Sequence, residues 1–233
     1  MKRIGLIGGM SWESTTLYYQ LINTGIRARL GGHSSADLVL RSVDFGPVEA
    51  LQRAGDWIGL DAMMAQAAQD VEAAGAEIIL LCTNTMHRCA DAIEAAVDIP
   101  LLHIADPLEI ALAELEIETI GLLGTRYTME QGFYRERLEA AGIEVLVPEE
   151  PDRSDVHRII YEELVVGRVE EASRERYKEI METLAGDGAD AIVLACTEIG
   201  LLVGEGDALV PVLDTTLLHA KAAVEWALGD LEG

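Results

Sequence analysis

A chain of 233 residues, half of them hydrophobic, has enough apolar side chain for one large domain or two small ones. Its formal charge of −24, from 41 acidic against 17 basic residues, argues against nucleic acid or anionic membrane as a partner, since both are held by clustered Lys and Arg. No apolar run approaches bilayer length, and Met1-Lys-Arg-Ile-Gly5 leads into structure without the apolar stretch and cleavage site of an export signal, so a cytoplasmic protein with no membrane association is expected.

The first element is Arg3-Ile-Gly-Leu-Ile-Gly-Gly9, a short buried strand running into a glycine turn. Helical periodicity follows from Ser14 to Leu30 and stops at Gly31-Gly32. Leu38-Val-Leu-Arg-Ser-Val-Asp44 reads as a second strand, Phe45-Gly-Pro47 as a loop, and Trp57–Ala74 as a helix in which Met63 and Met64 are packing residues. A third strand covers Glu77–Leu81, a helix runs from about Arg88 to Val97, and Ile99-Pro-Leu-Leu-His-Ile104 gives a fourth strand. Strands alternating with helices predict parallel sheets with helices on both faces.

The plan is then repeated. Ile120 in Thr119-Ile-Gly-Leu-Leu-Gly-Thr125 stands 116 residues after Ile4, Gly188 stands 113 after Gly75, and Val210-Pro-Val-Leu-Asp214 stands 111 after Ile99-Pro-Leu-Leu-His103. Three matches in one order predict two pseudo-symmetric, doubly wound α/β domains with the active site in the cleft between them. The expected boundaries are residues 1–105 plus 215–233 for the N-terminal lobe and 106–214 for the C-terminal lobe. The tail helix from Thr215 through Trp226 then packs back on the first lobe. Pro148–Asp155 is the most loop-like stretch, and Glu170–Glu182 reads as a solvated helix face.

Two stretches carry the chemistry: Gly75-Ala-Glu-Ile-Ile-Leu-Leu-Cys-Thr-Asn-Thr-Met-His87 and Gly188-Ala-Asp-Ala-Ile-Val-Leu-Ala-Cys-Thr-Glu198. Eight residues after each glycine stand Thr83 and Cys196, while Cys82 falls one place early and, by strand alternation, on the other face. A protonatable group on each wall of a cleft can take a proton from one face of a carbon and return one to the other. Cys196 suits the base role if its pKa falls, and Thr197-Glu198 is expected to open a helix whose amides favour thiolate. Thr83 can donate a proton but is a poor base unless activated. Asn84 and Thr85 offer donors to a substrate carboxylate. The plainer alternative is that a cysteine and a threonine merely end two buried strands, with Thr83 and Thr197 capping helices.

Other features have plain structural readings. Gly5, Gly8 and Gly9 form G-x-x-G-G, which fails the dinucleotide fingerprint. Cys82-x4-His87-x-Cys89 is not a zinc spacing, so no metal is expected and the three cysteines are reduced thiols. His87 reads as a satisfied structural histidine rather than a catalyst.

Ile4-Gly-Leu-Ile-Gly-Gly-Met10, Thr83-Asn-Thr-Met-His87 and Ala195-Cys-Thr-Glu198 resemble the aspartate/glutamate racemase family, and the resemblance covers the whole chain. Ser11-Trp-Glu-Ser14, Leu123-Gly-Thr-Arg-Tyr-Thr-Met-Glu130 and Ile199-Gly-Leu-Leu202 are similar to its broad-specificity amino-acid racemase branch. The resemblance implies racemisation without pyridoxal phosphate or any other cofactor, a homodimer, and a pocket lined by Met10, Gln52, Thr83, Asn84 and Thr85, with Thr125 and Thr128 across from them; Thr197 and Glu198 are further candidates for binding the substrate. The family pattern has a cysteine directly before Asn-Thr-x-His, where this chain has Thr83; Cys196 matches the second family cysteine. Gln52 and Val165 stand near places where aspartate-specific members carry an arginine and a lysine, which argues against a strict preference for acidic side chains. Two rivals remain: a single-thiol decarboxylase related to the arylmalonate enzymes, and a two-lobed protein that binds a small ligand without turnover.

The chain has only Lys2, Lys178 and Lys221 as lysines, and its acid-rich, lysine-poor composition suits concentrated salt. Raising ionic strength from about 0.1 M to about 1 M shortens the screening length from about 10 Å to about 3 Å. The melting temperature is therefore expected to climb over that range; an unchanged value would assign the acidity to solubility alone.

Overall fold

Strands buried on both faces read as continuous apolar runs rather than alternating ones. Both predicted pairs of such runs form strands in a computed structural model of the chain, which describes residues 1–229. In chain order the elements begin with β1 (Ile4–Gly8), α1 (Trp12–Leu30), β2 (Leu38–Ser42), α2 (Phe45–Ala54), α3 (Trp57–Ala73) and β3 (Ile78–Leu81). A 3₁₀ turn at Thr85–Cys89 leads into α4 (Ala90–Glu94) and β4 (Leu101–Leu102). Then come α5 (Ala105–Glu114), β5 (Thr119–Gly124), α6 (Arg126–Glu130), α7 (Gly132–Ala140), β6 (Glu144–Leu146), α8 (Asp152–Glu162), α9 (Glu171–Gly186), β7 (Ala191–Ala195), β8 (Val212–Asp214) and α10 (Thr215–Leu228).

The strands form two four-stranded parallel sheets of the same order, β2-β1-β3-β4 and β6-β5-β7-β8. The chain divides into two units, one made of Met1–Ile104 with the segment from His219, the other of Ala105–Leu218. Each unit is an α/β layer structure, so the fold class is the predicted one. Among the described residues no helix is long and apolar enough to cross a membrane.

In the first unit, alternation along the strands sorts side chains onto two cores. Ile7, Ile79 and Leu81 pack with Leu60, Met64 and Val71 of α3. Ile4, Leu6, Ile78, Leu80 and Cys82 pack on the opposite face with Tyr18, Ile22 and Ile26 of α1 and with Ala220, Ala223 and Val224 of α10. In the second unit, Leu123, Ile192, Leu194 and Cys196 share a core with Val156 and Ile159 of α8 and Tyr177, Ile180 and Leu184 of α9. Gly5 and Gly121 occupy the same place in the two sheets and let α3 and α9 approach closely. A Cβ on Gly5 would lie 2.8 Å from Ala76 and 3.1 Å from Val71, and one on Gly121 would lie 2.8 Å from Ile192 and 3.0 Å from Leu184.

Some local expectations are corrected. Phe45-Gly-Pro47 is not a loop but the first turn of α2: Asp44 Oδ1 accepts from Gly46 N at 3.0 Å, and Pro47 stands in the first turn, where an amide has no helical partner to lose. The helix expected from Arg88 to Val97 is instead the 3₁₀ turn Thr85–Cys89 followed by the five-residue α4. α8 begins at Asp152, inside the stretch read as loop. Arg176 of α9 holds it through Asp152 at 2.6 Å and Asp155 at 2.9 Å.

His219 of α10 is fully buried, with Nδ1 2.8 Å from Tyr18 Oη and Nε2 2.8 Å from the Leu102 carbonyl. A carbonyl only accepts, so Nε2 carries the proton and Nδ1 receives the tyrosine hydroxyl. Burial pushes the His219 pKa down to about 4 from an ordinary 6.5. The folded state then binds fewer protons than the unfolded one between these values, so this stabilisation is complete above pH 6.5 and is lost as pH falls toward 4. Its full size is about 3 kcal/mol. Denaturant unfolding of wild type and His219→Gln at pH 7 and pH 4 should show a smaller pH dependence in the variant, by up to that amount; equal dependence would clear His219 of the role.

Candidate active site

The ladder of the first sheet ends as Cys82 N donates to the Ile7 carbonyl at 2.9 Å, and the chain then folds sharply, with Thr83 N donating to the Leu81 carbonyl at 2.8 Å. Cys82 points into the α1 core, where burial drives its thiol pKa up. Thr83, Asn84 and Thr85 follow as buried polar residues at the C-terminal end of β3, with His87 inside the 3₁₀ turn. Met10 follows the parallel strand β1 and shares a core with Met86. Gln52 of α2 reaches the same place, its Nε2 3.2 Å from Met86 Sδ. The residues Met10, Gln52, Thr83, Asn84 and Thr85 are thus gathered around one strand end of the first unit. Beyond them, Arg88 stacks over Trp57 at 3.8 Å, and Cys89 is buried with its thiol pKa raised by burial and by Asp61.

The second unit gathers the rest. Gly124 pairs with Ala195 in the register of β5 and β7, so Thr125 and Cys196 leave adjacent strand ends. Thr125 caps α6, its Oγ1 accepting from Thr128 N at 3.3 Å, and the two threonine hydroxyls lie 3.3 Å apart. Thr128 is 0% exposed, which makes it a support for Thr125 within this unit. The Cys196 thiol donates to Glu198 Oε2 at 3.1 Å, and Thr197 Oγ1 donates to the same oxygen at 2.8 Å.

The strand registers make Thr83 and Cys196 equivalent. Gly5 faces Ile79 and Gly121 faces Ile192; four residues beyond those partners stand Thr83 and Cys196. By the same register Cys82 corresponds to Ala195, on the opposite face.

The thiolate-favouring helix expected after Cys196 does not form. Thr197 and Glu198 lead into a three-residue 3₁₀ turn, Ile199–Leu201, too short for a helical dipole to matter. Burial instead pushes the Cys196 thiol well above its ordinary pKa, and the charge of Glu198 pushes it further. The thiol rests protonated, its hydrogen turned to Glu198 Oε2. Thr197 likewise caps no helix, since its hydroxyl is turned to Glu198.

Two neighbours of the thiol escaped the sequence reading. Asp214, at the end of β8, is a buried carboxyl whose own pKa is raised by burial and whose charge also raises that of Cys196. It accepts from Thr216 N at 2.7 Å and so caps α10. The repeat pairs Asp214 with His103, a polar residue at the end of each matching strand, and that was the available signal. Tyr177 is buried beside Cys196 in the α9 core, its hydroxyl donating to the Val156 carbonyl at 3.2 Å, and nothing in its helical periodicity marks it out. Among the described residues no group of three or more His, Cys, Asp and Glu is placed to hold a metal ion.

With this geometry in view, comparison with known proteins assigns the chain to a class. Residues 7–223 match the model of the Asp/Glu/Hydantoin racemase family, and the chain belongs to that family. A crystal structure of a Yersinia pestis protein assigned as an Asp/Glu racemase is 54% identical, superposes with a TM-score of 0.91, and is covered over 100% of its length by 98% of this chain. An aspartate racemase homologue from Pyrococcus horikoshii OT3 is 33% identical with a TM-score of 0.82, covering 97% of this chain and 99% of its own. The broad-specificity amino-acid racemase RacX of Bacillus subtilis (strain 168) is 22% identical over 225 residues, which span 95% of this chain and 96% of the relative.

If Glu198 raises the Cys196 pKa, removing its charge lowers it. Glu198→Gln should be alkylated by iodoacetamide at Cys196 faster than wild type at pH 8, with the pH profile of alkylation displaced to lower pH. A profile unmoved or displaced upward would show that the carboxylate does not control the thiol.

Proposed function

We propose that the protein racemises free amino acids without a cofactor, using Cys196 and Thr83 as the two proton-transferring groups on opposite faces of Cα. The supporting observation is that two protonatable side chains occupy register-equivalent strand ends, one in each unit, and that one of them has a carboxylate hydrogen-bonded to it at 3.1 Å.

In this mechanism the Cys196 thiol gives its proton to Glu198 Oε2, and the thiolate takes the α-proton of the substrate. The electron pair left on Cα then takes a proton from the Thr83 hydroxyl on the other face; solvent reprotonates the Thr83 alkoxide and takes up the proton held on Glu198, so each group returns to its starting state. Glu198, entered in the sequence reading as a substrate ligand, here acts on the thiol. Asn84, Thr85 and Thr125 hold the amino acid's own carboxylate and ammonium groups. A hydroxyl is a far better acid than base, so kcat in the two directions differs. Because the equilibrium constant of a racemisation is unity, kcat/KM in the two directions must nevertheless agree.

Broad acceptance of side chains follows from what stands near the expected carboxylate site. Gln52 is buried and neutral, Val165 packs against the α9 core, and Arg53 is solvent-exposed and already paired with Glu49 at 2.5 Å. No cation in this group is committed to a substrate side-chain carboxylate, in keeping with the broad specificity that RacX carries in its name.

A second reading has one supporting observation of its own: among the described residues no carboxylate or imidazole is hydrogen-bonded to the Thr83 hydroxyl as Glu198 is to Cys196. A single-thiol decarboxylation needs only Cys196 as proton donor. Carbon dioxide release from a substituted malonate would favour it.

The test is incubation of single L-amino acids in D2O, reading chirality and deuterium at Cα. Wild type is expected to invert and exchange several of them, Cys196→Ala to lose roughly 10³-fold and Thr83→Ala roughly 10²-fold, and Cys82→Ala to keep most of the activity. Exchange lost with Cys82 and kept without Cys196 would reverse the assignment; no exchange with any amino acid would end it.

A further inference from the structure

We propose that His87 is a positioning residue for Thr83: its ring, fixed as the Nδ1–H tautomer, holds the Thr83 peptide carbonyl and so sets where the hydroxyl points. This rests on the reading of Thr83 as the group that delivers a proton to Cα.

The tautomer follows from the two neighbours of the ring. Nε2 lies 3.1 Å from the backbone nitrogen of Ile104, which can only donate, so Nε2 carries no proton. The proton is therefore on Nδ1, which lies 2.7 Å from the Thr83 carbonyl oxygen and donates to it. That carbonyl stands past the end of the β3 ladder, where the tight turn to Leu81 has taken it away from any strand partner. The ring is 2% exposed and packs edge-on against His103 with centroids 4.5 Å apart, while His87 N donates to the Asn84 carbonyl at 3.0 Å. One side chain thus fastens the Thr83 turn to the backbone just beyond β4. A misplacement of about 1 Å at a reacting group costs roughly 10²-fold in rate, so a loose Thr83 turn is a kinetic defect before it is a stability defect.

Two substitutions separate the two bonds. His87→Asn keeps an N–H near the position of Nδ1 and drops the tie to Ile104. His87→Gln keeps an acceptor near the position of Nε2 and drops the tie to Thr83. The expected result is that His87→Asn retains kcat within about threefold, while His87→Gln loses roughly 30- to 100-fold in kcat with KM changed by about twofold or less. ¹⁵N NMR of the wild-type ring should place the proton on Nδ1. Equal losses in both variants that track a shared drop in melting temperature would overturn the proposal, as would a proton on Nε2. Thr83→Ala run alongside keeps the two ideas apart. If it exchanges like wild type, the role of Thr83 fails; if it is inactive while His87→Gln matches wild type, only the role of His87 fails.

Discussion

A strand packed on both faces cannot slip by one residue, because every side chain would change sides. That constraint decides to which side of the sheet each of two adjacent residues projects. Ile78, Leu80 and Cys82 are committed to the α1 and α10 core, Ile79 and Leu81 to the α3 core. Thr83 therefore leaves β3 on the α3 side, as Cys196 leaves β7 on the α9 side. Cys82, one residue earlier, projects to the opposite side and is buried in the core with α1 and α10.

The equivalent ends are chemically unlike. Cys196 lies in an apolar core beside two carboxyls, Glu198 and Asp214, and all three influences oppose its ionisation. A thiol held protonated in this way is slow to oxidise, because the thiolate is the reactive form. Among the described residues the Thr83 hydroxyl has no carboxylate hydrogen-bonded to it. What this end has is a cluster of imidazoles, His87, His103 and His219, with the His87 ring 4.5 Å from His103 and 6.0 Å from His219.

Much of this was legible in the residues alone. The apolar runs, the repeat offsets and the count from Gly75 and Gly188 lead to the two matched sheets and to the equivalence that the registers display. What could not be read depends on contacts distant in sequence. Phe45-Gly-Pro47 has turn composition, and only the Asp44 cap marks it as a helix start. The ionisation of Cys196 looked favourable on a local view, because a following helix would supply positive dipole. The opposite holds because Glu198 turns back on the sulfur and Asp214 arrives from another strand. The tie between His87 and Ile104 joins residues 17 apart and needs β4 to be in place before it exists.

The helices after the fourth strands have an unequal history. α5 follows β4 but belongs with the second sheet, its Asp106 and Glu109 paired with Arg137 of α7. From His219, α10 belongs with the first, where Lys2 N donates to the Ala227 carbonyl and Gly25 gives room to Val224. The second unit is one continuous stretch of chain, whereas the first waits for α10 to be made. On the ribosome, then, the unit synthesised first is the one that closes last, with the face of its sheet that α1 and α10 share only partly covered until α10 emerges.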